Sequence, residues 1–250
     1  MSNKQKLTKI LLLIYWPAAF IIAHTPIPKI VCQAQVSDKI LHFLGYLILV
    51  FLLWFTVASD KKVNWRKATV WWVFPIMAGY GIIDELLQEY MGRSCDIMDF
   101  FADLTGTLTG LILFSFFTFW PAFLAVMAIT IFLLTNLTRV SLSDLMPITN
   151  ALFHLFAYGI FTALWITNIH SFLPAKIAKP KWLILALALP IALLAVVKLF
   201  SVIYGKDLLV NDLVLALSGI ASVIATVFLI ALFRRSLAQR RPCGNPERLV

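Results

Sequence analysis

The chain reads as an all-α integral membrane protein of eight transmembrane helices, arranged as two parallel four-helix repeats. Three observations predict this. The sequence is 61% hydrophobic and only 13% charged, with a mean hydropathy of +0.91 over 250 residues, so too little polar surface remains to cover a water-soluble core. Eight apolar runs each approach the roughly 20 residues that cross hydrocarbon at about 1.5 Å per residue. Two sets of motifs also recur at nearly one separation along the chain.

The first run, 7–24, follows Lys4, Lys6 and Lys9; no small-x-small cleavage site comes after Ile22, so it is expected to be a retained helix rather than a leader. The second, 39–58, opens on Asp38-Lys39, and the third, 68–89, ends in Asp84, Glu85 and Gln88. The fourth and fifth, 98–118 and 120–137, are separated only by the turn around Trp120-Pro121, because one helix through both would be far too long for a bilayer. The last three are 149–168, 181–200 and 211–233. Connections of at most about fifteen residues leave no room for a soluble domain or a nucleic-acid module. Chemistry must then come from helix ends and short loops.

Orientation follows from the positive charges. Lys4, Lys6 and Lys9, the 58–68 loop (Lys61, Lys62, Arg66, Lys67), the 168–181 loop (Lys176, Lys179, Lys181) and the tail (Arg234, Arg235, Arg240, Arg241, Arg248) hold fifteen of the 21 Lys and Arg. Lys29, Lys39, Arg93, Arg139, Lys198 and Lys206 lie on the other side, so both termini are expected in the cytoplasm. This asymmetry accounts for the net charge of +9 without invoking nucleic acid, and contact of the tail with anionic lipid is a secondary expectation. Cys32 lacks the small preceding residue of a lipoprotein site; it shares the external side with Cys95, and a disulfide between them is left open.

Leu41-His42-Phe43-Leu44-Gly45-Tyr46 recurs as Phe153-His154-Leu155-Phe156-Ala157-Tyr158, 112 residues later. Gly92-Arg93, Asp99 and Gly106 recur as Gly205-Lys206, Asp212 and Gly219, 113 residues later with internal spacings of seven. Two registered sets argue for duplication, with repeats at 1–118 and 119–233 and a basic cytoplasmic tail at 234–250. Four helices per copy return the chain to the same side, giving parallel repeats. The second copy has Val197, Lys198, Ser201 and Ala216 where the first has Asp84, Glu85, Gln88 and Asp103, and so reads as degenerate.

Between Ile82 and Leu111 stand Asp84, Glu85, Glu89, Asp96, Asp99 and Asp103. A carboxylate at the bilayer centre costs roughly 2.5 to 3.5 kcal/mol on insertion scales, so these groups must face protein, water or the interface. Asp38, His42 and Tyr46 share one helical face; so do Asp99, Asp103, Gly106 and Gly110, whose glycines suit close helix packing. Asp84 and Gln88 are i, i+4 neighbours, while Glu85 projects about 100° away and is free to find a different partner. Three arrangements satisfy such a cluster. Arg93, Lys39 and Lys198 can form structural ion pairs with it; Asp84, Glu85, Asp99 or Asp103 can hold a divalent cation with His42; or a carboxylate and His42 can exchange protons while Arg93 holds an anion. No motif identifies a cofactor.

The run Asp38-Lys39-x-x-His42-Phe43-x-x-Tyr46, Asp84-Glu85-x-x-Gln88, Gly92-Arg93 and Asp99-x-x-x-Asp103-x-x-Gly106 resembles the VanZ-like family of bacterial membrane proteins, over about residues 36–115. Asp103 stands where that family commonly has Asn, and many members look like a single unit without a second copy. The resemblance implies a role in the cell envelope associated with lowered susceptibility to teicoplanin. It also implies a functional set of His42, Asp84, Glu85, Gln88, Arg93 and Asp99, catalytic or binding, with His154, Lys206 and Asp212 as second-copy counterparts. The expected partner is a lipid-linked or cell-wall precursor met from the extracytoplasmic side. An ion-coupled transporter or flippase and a non-catalytic partner of envelope enzymes remain alternatives.

Overall fold

Eight helices, and no strand, make up the described residues of the computed structural model, which are 3–25, 37–91, 96–136, 146–172 and 180–239. They are α1 (Asn3–His24), α2 (Asp38–Val57), α3 (Ala68–Tyr90), α4 (Ile97–Phe116), α5 (Phe119–Asn136), α6 (Pro147–Phe172), α7 (Pro180–Ile203) and α8 (Val210–Gln239). All eight are long and apolar enough to span a bilayer.

Two differences from the sequence reading are instructive. The break between α4 and α5 falls at Phe117, whose extended backbone (φ −114°, ψ 141°) ends α4. Pro121 instead sits in the first turn of α5, where its missing N–H removes no helical bond. Helices α6 and α8 run on to Phe172 and Gln239, past the expected ends at 168 and 233. Hydropathy marks the edge of the lipid, whereas the hydrogen-bond ladder continues into water as long as the residues favour helix.

The contacts divide into two units. The first comprises Met1–Asn150 with Val197–Leu208 and the second Ala151–Val196 with Leu209–Val250. In the first unit α2 is the central element, packed on α1, α4 and α5. Its buried residues Leu47, Val50, Phe51, Trp54 and Phe55 share one core with Phe114 of α4 and Phe119 of α5, with ring centroids 5.3 to 5.8 Å apart for Phe51 and Phe55 against those two rings. Gly106 brings the two backbones together, since a Cβ there would fall on the carbonyl oxygen of Phe43. Tyr15 of α1 donates to the Gly45 carbonyl at 3.1 Å, and Trp16 and Tyr46 both pack on Tyr80 of α3. Residues such as Ile14, Ile22, Trp72 and Ile83 remain exposed, an apolar exterior that only lipid accommodates.

The second unit contains a close helix crossing of its own. A Cβ at Gly219 of α8 would fall on the Leu155 carbonyl of α6, and Trp165 donates to the Leu185 carbonyl of α7 at 2.9 Å. Tyr158, Phe161, Trp182 and Ile220 fill its interior.

Candidate functional site

Connectivity puts the end of α1, the start of α2, the end of α3 and the start of α4 at one end of the first unit. Each contributes charge there. His24 closes α1, and His42 lies one turn into α2; Asp84, Glu85 and Gln88 occupy the last two turns of α3, and Asp99 and Asp103 the first two of α4. All seven are buried. Asp96 starts α4 as its N-cap, accepting from the Met98 N–H at 2.9 Å.

The imidazole of His42 lies with Nδ1 3.0 Å from Asp103 Oδ1 and 3.9 Å from Glu85 Oε1. Glu85 Oε2 accepts from the Asp96 N–H at 3.2 Å, tying the end of α3 to the start of α4. Asp84, on the next face of α3, accepts from Gln88 at 3.3 Å and stands 3.8 Å from His24 Nε2. Gly81 makes room for this approach, because a Cβ there would meet Asp103 Oδ2 at 3.3 Å and the Phe100 ring at 3.2 Å. Lys39 reaches the cluster from its half-exposed rim, donating to Asp96 at 2.6 Å and to Asp99 at 3.3 Å.

The structure therefore gathers His42, Asp84, Glu85, Gln88 and Asp99 at one place. Arg93, Cys32 and Cys95 lie outside the described residues. Two members of the cluster escaped the family-derived set. Asp103 was set apart by the Asn common at its position, although its place on the Asp99 stripe pointed to it. His24 carried no sequence signal beyond being a polar residue at the same end of its helix as the others. In the second unit His154 Nε2 lies 3.7 Å from Asp212 Oδ2, while Lys206 belongs to the first unit and donates to the Thr135 carbonyl at 2.8 Å. Lys198 is buried, and neighbouring Ser201 donates to Asn136 at 2.7 Å.

Outside the spanning segments, the Lys39 hydrogen bond and the Met98 N–H hold the Asp96 carboxyl below its ordinary value of 3.8, and burial pushes the Lys206 ammonium down. For Asp96 the folded value lies below the unfolded one, so its stabilising contribution is complete above pH 3.8 and is lost as pH falls through the depressed value. The stability difference between wild type and Asp96→Asn should accordingly stay constant from neutral pH down to that point and shrink only below it. Acid titration of the thermal midpoint of both proteins reads this directly.

A helical, many-times-spanning membrane protein with histidines and carboxylates buried at one end of its first four helices is the class these features define. Residues 3–118, a little under half of the chain, match the family model described as VanZ/LLP1, so this segment is VanZ-like. The match takes in α1 as well as α2 to α4, so His24 falls within the matched segment. No curated protein and no solved structure matches the chain.

Proposed function

We propose that the first unit binds or modifies an anionic component of the cell envelope, a lipid or lipid-linked cell-wall precursor, from the extracytoplasmic side, and thereby lowers glycopeptide susceptibility. The observation that carries this reading is the burial of His42, Asp84, Glu85, Asp99 and Asp103 together, at the rim of spanning helices and next to a half-exposed Lys39. Such a concentration of charge is costly beside lipid and is retained where it serves a ligand. The distribution of Lys and Arg supports cytoplasmic termini and, with them, an external position for this end of α1 to α4. In this reading Arg93, in the segment between α3 and α4, holds the anion, while His42 and a carboxylate move a proton. In this reading the repeat 119–233 is a degenerate duplicate of 1–118; the crossings of Gly106 on Phe43 and Gly219 on Leu155 support that origin.

The test expresses His42→Ala, Glu85→Gln and Arg93→Ala at equal levels and measures teicoplanin susceptibility. Each should return cells toward the susceptibility of those lacking the chain. Wild-type behaviour of all three, with normal insertion, would overturn the proposal. Mass spectrometry of lipids and cell-wall precursors then separates chemical change from altered sidedness, and full activity of Glu85→Asp would mark a non-catalytic partner.

A further inference from the structure

His24 has no place in the proton and anion roles assigned above, yet it is held with care. Its Nδ1 lies 2.8 Å from the Phe20 carbonyl, which can only accept, so Nδ1 carries a proton. In the neutral ring Nε2 then presents a lone pair. That nitrogen is buried, makes no hydrogen bond, and faces Asp84 Oδ1 across 3.8 Å, beyond hydrogen-bonding reach. Phe20 stacks on the imidazole with centroids 4.1 Å apart and fixes the plane of the ring. A histidine anchored through one N–H on a backbone carbonyl, with the other nitrogen turned toward carboxylates, has the setting of a metal ligand.

The surrounding atoms have the same character. Glu85 Oε1, Asp103 Oδ2 and the Tyr46 hydroxyl are buried and make no hydrogen bond. Ligand atoms of His42, Asp84 and Asp103 all lie within 4.8 Å of one another. Ligands about 2.1 Å from a cation stand roughly 3.0 Å apart when adjacent and roughly 4.2 Å apart when opposite. The separations here are 3.0 Å for His42 to Asp103, 3.9 Å for His42 to Glu85 and 3.8 Å for His24 to Asp84. Each pair falls inside that window; His42, Asp84 and Asp103 form the mutually close set, and His24 and Glu85 each stand beside one member of it. Lys39 serves Asp96 and Asp99, a turn nearer the start of α4 than Asp103.

We propose that His42, Asp84 and Asp103 bind one divalent first-row transition cation, and that His24, poised 3.8 Å from Asp84, and Glu85, 3.9 Å from His42, close on it when it is bound. Two imidazoles among carboxylates suit Mn²⁺, Fe²⁺ or Zn²⁺ rather than Ca²⁺ or Mg²⁺, which take oxygen ligands. Within the proposed function, on which the role of the ion rests, a cation so placed draws a phosphate toward the cluster, and with His42 coordinated the proton passes to a carboxylate alone; binding itself is independent of that role.

The experiment uses the full chain in phosphatidylcholine nanodiscs, stripped with chelator and titrated with Mn²⁺ alone by electron paramagnetic resonance, and in parallel with Zn²⁺ by calorimetry. One ion per chain should bind, and the Mn²⁺ signal should carry nitrogen coupling from imidazole. His24→Gln and Asp103→Asn should each weaken binding by roughly 10- to 100-fold, while His170→Ala, at an exposed position of α6, should leave it unchanged. Should Asp103→Asn fail to fold, His24→Gln alone decides, since it removes one nitrogen at the end of α1. Failure of both metals to bind, binding without nitrogen coupling, or full affinity in His24→Gln would overturn the proposal. Metal binding through His24 in a chain whose His42→Ala, Glu85→Gln and Arg93→Ala variants all leave teicoplanin susceptibility unchanged would keep the site and discard the envelope function. The opposite pair of results would discard the site alone.

Discussion

Gly106→Ala should lower the thermal midpoint of the chain sharply and disable the site at the same time. The added Cβ would fall on the Phe43 carbonyl oxygen, with the carbonyl carbon at 3.1 Å and Cα at 3.2 Å. All three are backbone atoms of a helix, so no side chain can rotate away. Relief requires α4 to move off α2, and overpacking of this kind costs about 1–3 kcal/mol. The movement would also separate Asp103, three residues earlier on α4, from His42, the residue before Phe43. Gly79→Ala is the internal control. It meets nothing within 4 Å, so the helix preference of Ala over Gly, about 0.5–1 kcal/mol, should leave stability unchanged or improved. Thermal unfolding of the two variants in the same detergent measures the contrast. Equal midpoints would mean that α2 and α4 do not cross at Gly106.

The legibility of this crossing shows where sequence reasoning is strong. Gly106 and Gly110 announced a close helix approach through their spacing, and eight apolar runs announced eight helices, because both signals are local and periodic. The element ends were less legible where lipid and hydrogen bonding set different limits, as at Phe172 and Gln239. Within the site, Asp84, Glu85 and Asp99 were conspicuous because ionisable groups in apolar runs are expensive. Asp84 and Glu85 turn to different partners, His24 with Gln88 and His42 with the Asp96 N–H, as their 100° separation on α3 allows. His24 was invisible for a physical reason. Only the packing of α1 on α2 and α3 carries its imidazole to Asp84, and no pattern within α1 encodes which face does so.

Glu85→Gln should raise stability while abolishing the envelope phenotype, a combination that separates a functional carboxylate from a structural one. Glu85 Oε2 accepts from the Asp96 N–H at 3.2 Å, and the carbonyl of Gln can take over that bond. Its Oε1 makes no hydrogen bond and lies 3.9 Å from His42, too far for a strong pair. Asp84, Asp99 and Asp103 belong to the same cluster, so a neutral amide removes like-charge repulsion and the desolvation of one carboxylate. Stabilising single substitutions, charge optimisation among them, commonly yield about 0.5–2 kcal/mol. If Glu85 instead held the fold through an ion pair with His42, removing it would cost about 3–5 kcal/mol. The two accounts thus differ in sign. Thermal midpoints of metal-stripped wild type and Glu85→Gln, measured beside teicoplanin susceptibility, decide between them: a destabilised variant that still lowers susceptibility would show that the buried carboxylate supports the helices rather than a ligand.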